Sequence, residues 1–227
     1  GYIIYNGEDK NILDVLKNTT TNAKKLNYLE AKANIKLSIP GEYNLKNAKA
    51  AFATARLNGI TENTALKILK NYTGTWRRFE FMGQAKNNAL LYNDYGHHPT
   101  EIKATLKAMK EKFPNNKLIV VFQPHLFSRT KLLINDFAKS FDLADEIIIS
   151  DIYAAREKND YAIHAKDLVE KIQKAHYIGP NCEIKKYLEQ NMKSNDIILF
   201  QGAGDVYKIG EEIISTSNHH QQQSPDR

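Results

Sequence analysis

Two short strings hold most of the chemistry this sequence can offer. Asn93-Asp94-Tyr95-Gly96-His97-His98-Pro99-Thr100-Glu101 brings two carboxylates, a phenol and two imidazoles, and Gln123-Pro124-His125-Leu126-Phe127-Ser128-Arg129-Thr130 adds a third imidazole and a guanidinium. Each string directly follows an apolar run, Leu90-Leu91-Tyr92 and Val120-Val121-Phe122. Ligands of open parallel sheets bind beyond the carboxyl ends of the strands. Three of the seven histidines are therefore expected at one sheet edge, beside a carboxylate, a tyrosine and an arginine. A single strand-end histidine is ordinarily a hydrogen-bonded loop residue. Two polar clusters at successive strand ends, each followed by a helix N-terminus able to receive an anion, point instead to a ligand site. Pro99 suits a first helical turn, and Ser128 is expected to cap the next helix. No metal site is expected, because the one cysteine, Cys182, is remote and adjacent His97 and His98 cannot point the same way on extended chain.

The elements that would position these strings follow from hydrophobic periodicity. Residues 1–39 give a strand over Tyr2 to Tyr5, a helix around Ile12 to Leu16, and a β-like Ile35 to Ile39. After Pro40-Gly41, Leu45, Ala48, Phe52 and Ala55 repeat at helical spacing, with Gly59 as the terminating glycine and Thr61 as the cap of a further helix. A boundary is expected at Thr73-Gly74-Thr75. Beyond it Arg78 to Phe81 and Leu90 to Asn93 read as a hairpin, and Leu118 to Phe122, Ile147 to Ile149 and Ile197 to Phe200 are apolar throughout, as strands covered on both faces must be. Between them Ile102, Leu106, Met109 and Phe113, then Leu133, Phe137 and Phe141, then Leu168 and Ile172, then Ile184 and Leu188 each share a helix face. The pattern predicts an α/β, doubly wound, mostly parallel domain to about residue 216 and a disordered tail over 217–227.

Composition sets the outer limits. The 227 residues are 42% hydrophobic and 26% charged, enough for a real core. A net charge of +6 invites a nucleic-acid reading, but 26 of the 32 basic residues are lysines scattered beside acids, so no nucleic-acid partner is expected. No apolar run approaches the roughly 20 residues of a membrane span. Together with the lone cysteine this suggests a reducing, cytoplasmic setting. The start at Gly1, straight into a strand, suggests a piece of a longer polypeptide.

Weaker signals stay open. Gly202-Ala203-Gly204-Asp205 lacks the third glycine of a dinucleotide fingerprint and reads as a tight strand-to-helix turn. Arg77-Arg78 reads as a surface pair before a phosphate clamp. No Gly-x-x-x-x-Gly-Lys-Ser/Thr loop occurs, so if the chain uses ATP its phosphate cradle lies elsewhere.

Taken in order, Ile39-Pro40-Gly41-Glu42-Tyr43-Asn44-Leu45-Lys46-Asn47-Ala48, Gly74-Thr75-Trp76-Arg77-Arg78-Phe79-Glu80, and the two strings above resemble the motif series of the Mur ligase family, most closely its alanine-adding branch. The resemblance covers about residues 39 to 205. It implies that residues 1–74 end a central ATP-binding domain, that 75–216 form the Rossmann-like C-terminal domain, and that the UDP-binding domain and phosphate loop belong to a missing N-terminal part. It implies UDP-N-acetylmuramate, L-alanine and ATP as substrates, an acyl-phosphate intermediate, and Mg2+ held by ligands outside this chain. The fragment alone would be inactive.

By the same resemblance, Asn44 and Asn47 match adenine-side asparagines, Arg78 a nucleotide-contacting arginine and Asp94 a ribose-side aspartate. Tyr95, His97, His125 and Arg129 match positions around the alanine and muramoyl carboxylates, with His97, His125 and Arg129 as the catalytic set. Tyr43 stands where the family usually has histidine, and Leu126 where the nearest relatives usually carry a second arginine. Two other readings remain: a nucleotide- or metabolite-binding α/β module without chemistry, and another amide-forming relative that recycles murein tripeptide or polyglutamylates folate.

Overall fold

The computed structural model describes residues 1–221, and the chain divides into two compact units, Gly1–Thr73 and one beginning at Gly74. In the first, β1 (Tyr2–Tyr5) pairs in parallel with β2 (Lys24–Asn27). Between them α1 (Lys10–Asn18) is capped by Asp9, whose carboxylate accepts the Asn11 and Ile12 N–H groups. The strand expected over 35–39 does not form. Its backbone bonds locally, Ile35 N–H to the Ala33 carbonyl, and Ser38 is tied by its hydroxyl to the Tyr72 carbonyl. Gly41, at φ 101°, opens α2 (Glu42–Leu57), and Thr61 caps α3 (Glu62–Lys70) as the pattern predicts.

The second unit is a six-stranded sheet in the order β3-β4-β8-β5-β6-β7. Its strands are β3 (Glu80–Gln84), β4 (Leu90–Asp94), β5 (Leu118–Phe122), β6 (Glu146–Ser150), β7 (Ala175–Gly179) and β8 (Ile197–Gln201). β3 runs antiparallel to β4 and every other pairing is parallel. The apolar runs form the middle: β5 and β8 are buried at every position. Around them lie α4 (Pro99–Lys112), α5 (Phe127–Leu132), α6 (Ile134–Ala138), α7 (Ala165–Val169), α8 (Asn181–Asn191) and α9 (Tyr207–Gln221). This is the mixed α/β, mostly parallel architecture expected.

Three local expectations fail, the first being the helix inferred from Leu168 and Ile172, which ends at Val169 and leaves Ile172 outside it. The helix inferred from Leu133, Phe137 and Phe141 is broken into α5 and α6 at Leu133. The last helix runs to Gln221, past the expected end near 216, since no glycine or proline over 217–221 stops it. The remainder of the expected tail, 222–227, lies outside the described residues. Among the described residues no helix is long and apolar enough to cross a membrane.

Candidate functional site

Register explains why the two strings meet. Asp94 pairs with Gln201 across β4 and β8, and Gln201 with Phe122 across β8 and β5, so three strand ends are level. His97 and His125 each come three residues beyond their strand end. The strand between them continues into Gly202, which at φ 151° approaches so closely that a Cβ there would lie 2.7 Å from the Gln123 carbonyl oxygen. With no side chain in the way, the two loops lean together, and the His97 and His125 rings sit 5.6 Å apart.

Each imidazole has a distinct anchor. His97 Nδ1 lies 3.1 Å from the Tyr95 carbonyl, and its ring meets the Tyr95 ring edge-on. His125 stacks on Tyr153 at an interplanar angle of 16°, and its Nδ1 lies 3.2 Å from Arg129 Nη1. A guanidinium only donates, so Nδ1 must accept and the proton of neutral His125 sits on Nε2. Burial, reinforced by the charges of His97 and Arg129, holds His125 below its ordinary value. Among the described residues the Arg129 side chain bonds to His125 alone, by ring and by carbonyl.

The helix that carries Arg129 starts differently from the expectation. Its cap position is Leu126, at φ 72°, not Ser128. Leu126 is held there because its N–H donates to the Tyr153 carbonyl and its own carbonyl accepts the Thr130 N–H and hydroxyl. Ser128 instead donates its N–H and hydroxyl to Glu157. A carboxylate of this chain therefore already occupies the start of α5. The start of α4 is also self-capped: His98 Nδ1 accepts the Thr100 N–H, and Glu101 accepts from His97 and His98. The two helix ends are filled from within, and the open donors of the site are side chains.

Asp94, expected on the ribose side, is enclosed at its strand end. Its residue is 2% exposed, and its carboxylate accepts from Phe79 N–H, Gly96 N–H, the Thr105 hydroxyl and the Gln201 amide. Burial pushes this carboxyl above the usual range, and the backbone donors oppose the rise. A carboxylate so enclosed organises the Tyr95 loop.

Arg77 is the residue sequence reasoning missed. Far from a surface group, it is 5% exposed, donates to the Gly202 carbonyl, and lies 4.9 Å from the Tyr95 ring centroid and 4.4 Å from that of Tyr207. Arg78 is exposed, pairs with Glu101 at 3.4 Å and sits 5.4 Å from the Tyr95 ring. Gly204 lies against Gln123 and Tyr153, and Gln123 spans Asp205 and the Val206 N–H, which makes the Gly202-to-Asp205 turn a support under the site. In the first unit, Asn44 donates to the Pro40 carbonyl, and exposed Asn47 stands one turn further along α2.

The structure thus brings Tyr95, His97, His125 and Arg129 into one chain of contacts. Tyr153 and Glu157, on the loop after β6, complete it and had no local sequence signal. Among the described residues no group of three or more His, Cys, Asp or Glu has the spacing to hold a metal ion.

A mostly parallel α/β domain with an imidazole and guanidinium cluster beyond its central strands defines a doubly wound fold whose strand ends are the usual place for a ligand. The model of the Mur ligase, glutamate ligase domain matches residues 77–204, and the chain belongs to the Mur ligase family. It is 39% identical over 247 aligned residues to the UDP-N-acetylmuramate-L-alanine ligase of Clostridium botulinum strain Okra, covering 95% of this chain and 53% of that one. The ligase of the same name from Caldanaerobacter subterraneus is 46% identical, over 79% of this chain and 39% of the relative. The solved UDP-N-acetylmuramate-alanine ligase of Thermotoga maritima superposes with a TM-score of 0.68 at 29% identity, covering 82% of this chain and 40% of that one. The chain spans about half the length, or less, of these relatives.

Proposed function

We propose that this chain is the C-terminal portion of an ATP-dependent ligase that joins L-alanine to the muramoyl carboxylate of UDP-N-acetylmuramate, a step in making peptidoglycan precursors. The observation that carries the reading is the Arg129–His125 contact beside His97, at the strand ends of a chain whose relatives bear that ligase's name. An oxygen of the muramoyl carboxylate attacks the γ-phosphorus of ATP and ADP leaves. The amine nitrogen of alanine then attacks the acyl carbon, one proton is lost to water, and phosphate departs as the amide forms.

The work left to this half is holding anions and excluding water. Arg129 pairs the alanine carboxylate through its two-pronged face, and His125 offers its Nε2–H to the oxygen on which charge develops. His97 and Tyr95 line the muramoyl side. Arg78 meets the nucleotide, Asn44 and Asn47 its adenine, and Asp94 serves that side through the loop it holds. The residues that cradle the phosphates belong to the N-terminal part of the polypeptide.

The test is ADP release by the full-length ligase with ATP, UDP-N-acetylmuramate and a panel of L-alanine, glycine, L-serine and D-glutamate. L-Alanine should give the highest kcat/KM. Equal rates across the panel, or ADP release that ignores UDP-N-acetylmuramate, would overturn the reading.

A further inference from the structure

Glu101 serves two parties with one carboxylate. Its Oε2 accepts the N–H of His97 at 2.9 Å and of His98 at 3.1 Å, and lies 3.7 Å from His97 Nδ1. Its Oε1 lies 3.4 Å from Arg78 Nη1. The His98 N–H bond belongs to the capping box of α4, and a neutral glutamine can accept it and the His97 N–H as well as glutamate does. The ion pair with Arg78 needs the charge. Capping therefore accounts for the N–H bonds of Glu101 and not for its ion pair with Arg78. Burial raises its carboxyl, but the His97 and His98 N–H groups, the charge of His97 and the hydrogen bond from Arg78 outweigh that and keep it below its ordinary value.

We propose that Glu101 is a positioning residue that couples the nucleotide side of the site, at Arg78, to the muramoyl side, at His97. This rests on the roles proposed above for those two residues and names the link between them. A phosphate arriving at Arg78 competes with Oε1 for the guanidinium. The charge of Glu101 then faces His97 and the His98 N–H without Arg78 to share it, and among the described residues the His97 ring makes its other ring contacts with Tyr95 and His125. Nucleotide occupancy changes what His97 offers, and by linkage the muramoyl ligand changes the hold on the nucleotide. The Arg78 and Glu101 side chains are 46% and 35% exposed, so the link is modest and weakens with salt.

The experiment measures kcat/KM in the full-length ligase for Arg78→Lys, His97→Gln and the double variant, each with Glu101 and again with Glu101→Gln. With Glu101 present, the two substitutions should be non-additive by about fivefold, and less so at high salt. With Glu101→Gln they should add to within about twofold, while the melting temperature stays that of the parent because the cap survives. The same non-additivity in both backgrounds, or additivity in both, overturns the coupling. If Glu101→Gln melts early, Arg78→Gln, which leaves the cap untouched, decides: KM for the muramoyl substrate should rise with that for ATP, and a change confined to ATP overturns the proposal. A parent enzyme that makes no ADP with the three substrates overturns the functional reading itself, a result distinct from either.

Discussion

Arg129 Nη1 lies 3.2 Å from His125 Nδ1, four residues away in sequence, so the guanidinium fixes the imidazole's tautomer, and among the described residues its side chain bonds to His125 alone. Lysine at this position keeps a charge but loses the fork. Arg129→Lys in the full-length ligase should lower kcat/KM for L-alanine about 10- to 150-fold, the worth of a charge-assisted bond of roughly 1.5–3 kcal/mol. Thermal melting should be unchanged, since Arg129 sits in a short helix at the sheet edge. Unaltered alanine kinetics would remove Arg129 from the site.

His125 makes the site sensitive to acid. Its pKa is held below the ordinary 6.5 by burial and by neighbouring cations, so the unfolded chain takes up the proton first as pH falls. The stability it contributes is present above that ordinary value and is lost as pH falls through the depressed folded value. Melting temperature measured from pH 8 to pH 5 should fall along this limb, and His125→Gln should flatten it. A parallel decline in both proteins would assign the limb to other groups.

Gly202 has no room for a side chain and stands at φ 151°. Gly202→Ala should destabilise the second unit by about 2 kcal/mol or more, by strain and by collision with the Gln123 carbonyl. Denaturant unfolding measures this. A loss below about 0.5 kcal/mol, the range of a neutral surface change, would mean that the loops do not close over this glycine as described.

How much was legible depended on whether the signal was local. The runs at Leu118 to Phe122 and Ile197 to Phe200 could hardly be anything but covered strands, and Pro99 and Thr61 marked helix starts that the structure repeats. Ile35 to Ile39 looked like a strand because its alternation is right, but a strand also needs a partner, and β1 takes Lys24–Asn27 instead. Ser128 carried a cap signal that Glu157, 29 residues away, overrides from outside the helix. Arg77 read as a surface residue because nothing near it in sequence announces Gly202, 125 residues on, as the acceptor of its guanidinium. The histidine cluster was visible because both loops leave level strand ends. Its supports were hidden because they come from the loop after β6.

The chain alone should not turn over ATP. Its sequence has no Gly-x-x-x-x-Gly-Lys-Ser/Thr loop to hold the phosphates. ADP formation by the purified 227-residue chain should match the blank with all three substrates present, and muramate- and alanine-dependent ADP release would contradict the division of labour proposed above.

Oxygen tracing puts the function to its most direct test. The full-length ligase is given ATP, L-alanine and UDP-N-acetylmuramate carrying 18O in its muramoyl carboxylate, and the products are weighed by mass spectrometry. An acyl-phosphate route breaks the bond between the acyl carbon and the oxygen that attacked phosphorus. One 18O should therefore appear in inorganic phosphate for each molecule of UDP-N-acetylmuramoyl-L-alanine formed. Unlabelled phosphate, or no alanine-containing product, would contradict the account.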